Sequence, residues 1–167
     1  RVRGTQPLLD AWRGSLDSAR AIVRVSPVLR RHRAELERQA VILEGMDLAT
    51  RNLRVIARRL DFVGRDERRR PEIADVLVRV SGAVSLLSAS LDDIATRSPL
   101  LQDGPGWWAA RAALEELARH LRPDEVLGRD APVSEQALVI MVRPLVVDLL
   151  VAAGMPVSQA QDLLPPT

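Results

Sequence analysis

Residues 71–97 read PEIADVLVRVSGAVSLLSASLDDIATR. Apolar side chains fall at Ile73, Leu77, Val80, Val84, Leu87, Leu91 and Ile94, alternately four and three residues apart. That spacing lines one face of an α-helix with apolar groups and leaves the rest polar. Pro71 suits the first helical turn, where its missing N–H is one of the donors a helix leaves free. Glu72 and Asp75 lie near the positive end of the helix dipole. Ser98-Pro99 stops the segment, because the residue before a proline is pushed out of the helical region. Such a helix must bury its apolar face against another helix or a sheet.

The same period runs through most of the chain. In residues 28–63, Leu36, Ala40, Leu43, Met46, Thr50, Leu53, Ala57 and Leu60 form one series, and Ile42, Ala49, Ile56 and Val63 repeat every seven residues beside it. Gly45, in the middle, marks a bend or a close helix crossing. A helix over 6–25 carries Leu9, Trp12, Leu16, Ala19 and Val23, and one over about 105–121 carries Trp107, Ala110, Leu114, Leu117 and Leu121. Residues 124–127 make one turn. Ser134 is read as the N-cap of an apolar helix over 134–153 that Gly154 closes. Residues 157–164 form a last short helix. Nothing reads as strand. The expected fold is all-α: a single domain over 1–167, built as an elongated antiparallel bundle of about five helices with coiled-coil-like packing.

Composition agrees. Hydrophobic residues make up 47% of the 167 and aromatic residues only 2%, so the core is mainly aliphatic. A sheet protein carries more Tyr, Phe and Thr. There is no cysteine, which excludes disulfides, thiolate metal sites and a Cys nucleophile. All 24 Lys+Arg residues are Arg. With no Lys, Tyr or Cys to titrate, the pI of about 10.6 accompanies a net charge of only +2. Charge is unevenly spread. Residues 1–70 hold 17 Arg against 9 Asp+Glu, net +8, and residues 71–167 hold 7 against 13, net −6. The two halves either pair with each other or turn the basic half toward something anionic.

The most apolar run, 137–154, is interrupted by Arg143, Pro144 and Asp148, so it reads as a buried core helix rather than a membrane span. The chain opens on Arg1-Val2-Arg3-Gly4 with no signal peptide and no Met, and is read as a soluble piece of a longer protein.

Residues for chemistry are few. His32 sits in Arg30-Arg31-His32-Arg33 and reads as solvated helix surface; His120, near a helix C-terminus, complements the dipole. Neither belongs to an HExxH pattern, and there is no GxSxG, P-loop or dinucleotide fingerprint. Asp92-Asp93 and Glu115-Glu116 are adjacent pairs that do not share a helix face. No catalytic, cofactor or metal residue is assigned, and no enzyme activity is expected.

A helical wheel centred on Leu53 puts Arg51, Arg54, Arg58 and Arg65 on the outer side, with Asp47 and Asp61 interleaved. Interleaved acids suit a solvated or partner-facing surface better than one that tracks phosphates, so nucleic acid is disfavoured as a partner. Asn52 and Arg59 fall on the flank of the apolar face, where a polar side chain needs a partner or water. Asp148 and Arg143 lie in similarly apolar surroundings, and Asp148 is expected to pair with Arg59 or Asn52. Trp107 reads as core and Trp108 as rim, with an apolar ligand pocket beside them as the alternative. Leu48 and Val55, seven residues apart, form a seam with another helix or a second copy of the chain, and a homodimer is expected.

Three stretches carry a family resemblance: Ser26-Pro27 followed by RRHRAELER at 30–38; DLATRNLRVIARR at 47–59; and VRPLVVDLL at 142–150 followed by Gly154. In this order they resemble the soluble C-terminal region of actinobacterial membrane proteins in the aromatic acid exporter and fusaric acid resistance family. Pro144 departs from that pattern, standing where similar proteins carry a polar residue, and it bears on the continuity of the last long helix. The resemblance implies a domain tethered to transmembrane helices on the cytoplasmic side, in a protein that moves organic or aromatic acids outward. It carries no substrate residues onto this chain. The basic N-terminal portion would then lie toward an anionic lipid surface. Two other readings stay open: a free-standing Arg-rich protein that binds nucleic acid, and a sensor for an acidic aromatic ligand beside Trp107, Trp108 and an arginine.

Overall fold

The computed structural model describes residues 5–66, 68–97 and 104–166. Among them are seven α-helices and no strand: α1 (Thr5–Val25), α2 (Arg33–Val63), α3 (Pro71–Arg97), α4 (Pro105–Arg119), α5 (Pro123–Leu127), α6 (Val133–Ala152) and α7 (Val157–Asp162). Five are long and two are single short turns. The first four residues and Ser98-Pro99 lie outside the described residues, as do the side chains of Arg30, Arg31, Asp92, Asp93 and Ile94.

Helix α6 is the centre. It packs most extensively on α2 and also meets α3, α4, α5 and α7. That is why its sequence is apolar nearly all round rather than along one stripe. Leu138, Val139, Val142, Leu145, Val146, Leu149 and Leu150 are all buried, and Val146 and Leu150 have no exposed surface. Each such side chain stabilises the fold by about 1.5–3 kcal/mol through burial. Helix α6 runs antiparallel to α2: Gly45 abuts Asp148 and Ala152, Asn52 meets Asp148, and Val63 clusters with Leu138. Helix α1 is likewise antiparallel to α2, with Gln6 beside Arg54 and Leu16 beside Leu43. Helix α4 lies on α3 and along α6, from Trp107 at Ala153 to Leu121 at Arg143.

The α4 stripe is buried as its spacing requires: Trp107, Ala110, Leu114, Leu117 and Leu121 are each 6% exposed or less. On α3, Ile73, Val80 and Leu87 are buried, but so are Val76, Ala83 and Ser90 on the adjoining line. The buried face is therefore wider than a single heptad seam. By length and composition, Pro71–Leu91 could cross a membrane, with a third of it buried inside the bundle.

Several details differ from expectation. On α2 the core line is Ile42, Ala49, Ile56 and Val63, whereas Leu53 is 40% exposed and Ala57 is exposed. Leu43 of the longer series is buried against α1, and Met46 and Leu60 are partly buried, while α6 covers the shorter series. Residues Pro27–His32 form a 3-10 turn, so the α-helix begins at Arg33. Ser134 is inside α6; the N-cap is Pro132, with no side-chain cap. The Gln136 amide instead donates to the Ala131 carbonyl at 2.8 Å. Helix α6 also continues through Pro144. Proline removes the hydrogen bond to the carbonyl four residues back, that of Ile140. Both residues lie on the exposed side of α6, so the unpaired carbonyl is not enclosed in the core.

Candidate functional site

The contact between α2 and α6 holds a small polar seam in an otherwise aliphatic interface. Asn52 Nδ2 donates to Asp148 Oδ2 at 2.6 Å. Burial raises the Asp148 pKa above its ordinary 3.8, and the hydrogen bond from Asn52 pulls it part of the way back. Two turns before Asn52 on α2, a Cβ on Gly45 would lie 2.8 Å from the Ala152 nitrogen and 2.9 Å from the Asp148 carbonyl oxygen. The two backbones come this close only because residue 45 has no side chain.

Arg59 and Arg143 do not join this seam. The Arg59 guanidinium lies over the Phe62 ring, 5.5 Å from its centroid, and its Nε is buried with no hydrogen-bond partner among the described residues. Arg59 is seven residues beyond Asn52, about 10 Å further along the helix, and has passed Asp148. Arg143 turns to the other side of α6. It donates to the Leu121 carbonyl at 2.8 Å and to the Pro165 carbonyl, tying the end of α4 to the C-terminal tail. Burial, then the charge of Arg122, lowers its pKa.

Asp47 is a correction. The sequence puts it on a wet outer stripe, but it is 6% exposed. Helix α1 covers it. Its carboxylate accepts from Arg51 at 2.7 Å, Arg13 at 3.3 Å and Gln6 at 3.4 Å, and Gln6 Oε1 in turn accepts from Arg54 at 3.2 Å. Arg51 and Arg54 therefore serve the joint between α1 and α2, while Arg58 is exposed. A second cluster was not legible in the sequence. Glu135, 7% exposed in the first turn of α6, takes Arg70 at 3.0 Å and Arg68 at 3.9 Å. These pairs join the basic half to the acidic half. Its only signal was an acid in a first turn, where the helix dipole favours it.

Trp107 is core, 6% exposed, and its Nε1 donates to the Ala153 carbonyl at 3.2 Å; Trp108 is half exposed, with Arg111 stacked 5.6 Å from its ring. Together with Arg38, Val41 and Met155 they line an open cleft of about 490 Å³. Its apolar floor and two guanidiniums suit a small aromatic anion. Leu48 and Val55 are 42% and 41% exposed on the outside of α2. No group of three or more metal-ligating side chains occurs among the described residues.

Comparison of the chain with protein-family models, with curated proteins and with solved structures finds no match.

Proposed function

We propose that this chain is the cytoplasmic helical domain of an exporter-like integral membrane protein that moves organic or aromatic acids outward, and that its own role is assembly, gating or partner contact. One observation carries the reading. Two of the stretches that carry the resemblance, 47–59 and 142–150, lie on α2 and α6, the most extensively packed helix pair. They are joined by the Asn52–Asp148 hydrogen bond and lie beside the close approach at Gly45. A resemblance concentrated in a helix–helix contact fits a scaffold. The +8 charge of residues 1–70, on α1, α2 and the segments that follow, suits an anionic membrane surface. The test is the upstream open reading frame. Several apolar segments of about 18 or more residues are expected there. A frame without any overturns the reading.

The cleft beside Trp107 and Trp108 favours a second reading, a sensor for an aromatic acid. Titration with benzoate-like acids would then change Trp fluorescence saturably, and Arg111→Ala would weaken that change. A linear, non-saturating response removes it.

A further inference from the structure

Among the described residues, one face of α2 is left uncovered between α1 and α6. Along it stand Val41, Leu48, Val55 and Phe62, exposed by 45%, 42%, 41% and 61%. They are seven residues apart and form a straight apolar line about 32 Å long. The flank toward α6 carries Gly45, Asn52 and Arg59. The other flank carries, at the same period, Glu37, Glu44, Arg51, Arg58 and, in the turn after the helix, Arg65. The charges on that flank are segregated. Acids occupy the N-terminal part and arginines the C-terminal part.

The geometry points to this face as the seam of a homodimer in which α2 packs antiparallel on α2 of a second copy, about a twofold axis near residue 51. In that register Leu48 faces Val55 of the partner subunit, and Val41 faces Phe62 of the partner subunit. Residues on the same flank meet across an antiparallel pair. Glu44 therefore lies opposite Arg58 of the partner subunit, and these contacts carry the register. Glu37 lies opposite Arg65 of the partner subunit, but within each chain Glu37 already pairs with Arg33 at 3.2 Å and Arg65 with Asp61 at 3.6 Å. Each contact occurs twice by symmetry. Arg51 meets its own copy at the axis, where Asp47, shared with Arg13, offsets part of its charge from 2.7 Å. A parallel pair would instead set Arg58 against Arg59 of the partner subunit, a like-charge contact. Glu44 and Arg58 are both exposed, and neither has a hydrogen bond or ion pair among the described residues. Charge complementarity thus selects a second copy, in this orientation, as the occupant. The inference does not depend on the membrane tether, so its failure and that of the proposed function are read separately.

The test uses the 167-residue chain in low-salt sedimentation equilibrium. The unmodified chain is expected to dimerise. Glu44→Arg and Arg58→Glu should each raise the dimer dissociation constant about tenfold, by turning two attractive contacts into two repulsive ones. The double swap should return it to within about threefold of the original. Circular dichroism should be unchanged throughout, because both positions are exposed. The chain has no cysteine, so register has an independent readout. A mixture of Leu48→Cys and Val55→Cys chains should form a disulfide dimer across the two positions, and Leu48→Cys alone should not. A chain that stays monomeric at about 1 mM leaves the face to another partner and overturns the proposal. So does a dimer indifferent to both swaps, a double swap no better than the singles, or self-linking of Leu48→Cys.

Discussion

Asp148 shows how one residue links packing to pH. Burial is the larger influence on its carboxyl and raises the pKa above 3.8, against the pull of Asn52. A raised folded pKa means that the folded state holds the proton to higher pH than the unfolded chain. Stability is therefore greatest below 3.8 with respect to this group, falls as pH rises through the folded value, and is level above it. Asp148→Asn keeps an oxygen for the Asn52 amide and removes the charge. The variant should lose this part of the acid-range slope and melt at least as high as the unmodified chain at neutral pH. Thermal melts across pH check this, and a lower neutral melting temperature would show that the carboxylate contributes through its charge. The sequence marked Asn52 and Asp148 as polar groups in apolar surroundings, and burial logic alone said that they needed partners. It could not assign Arg59, because reach along the helix axis, not polarity, decides which group meets Asp148. Asp47 was misplaced for a related reason: a wheel shows the faces of one helix, and only the position of α1 turns an outer face into a buried one.

At the scale of elements, glycines separate propensity from packing. In a free helix Gly→Ala is favourable by roughly 1 kcal/mol. Gly82, on α3, has nothing within 4 Å of an added Cβ. Gly82→Ala should therefore stabilise the protein by about 0.5–1 kcal/mol. At Gly45 the added Cβ meets backbone atoms of α6 at 2.8 and 2.9 Å. Backbone cannot rotate aside, so overpacking of about 1–3 kcal/mol opposes the propensity gain and Gly45→Ala should be net destabilising. Denaturant melts of the two variants should move in opposite directions; stabilisation by both would mean that α2 and α6 are less tightly apposed. The 27-residue α3 and the α4 stripe were readable because their apolar period is strong and each helix opens on a proline, Pro71 and Pro105. The start of α6 was not, since Ser134 has the composition of a cap but Pro132 holds the capping position.

For the whole molecule, the packing order implies an order of opening. Helix α6 touches five other helices, whereas α1 is held mainly by α2. The α1 joint consists of a small apolar cluster of Leu9, Leu16 and Leu43 and the polar cluster around Asp47. Hydrogen exchange should show α1 opening before α6. Asp47→Ala should loosen α1 further by about 1–3 kcal/mol while leaving exchange at Val146 and Leu150 near that of the unmodified chain. Equal protection in α1 and α6 would contradict this order.

The helical character of the chain, its aliphatic core and the central place of its most apolar helix were determined by the sequence alone, because hydrophobic period and proline punctuation are local properties. Tertiary structure decided which line of α2 is core, that Asp47 and Glu135 are buried among arginines, that Arg143 staples the C-terminal tail, and that the line from Val41 to Phe62 is left uncovered. Each depends on where a distant helix lies. Burial is a property of the pair of surfaces, and a single helix carries several faces among which only its neighbours choose.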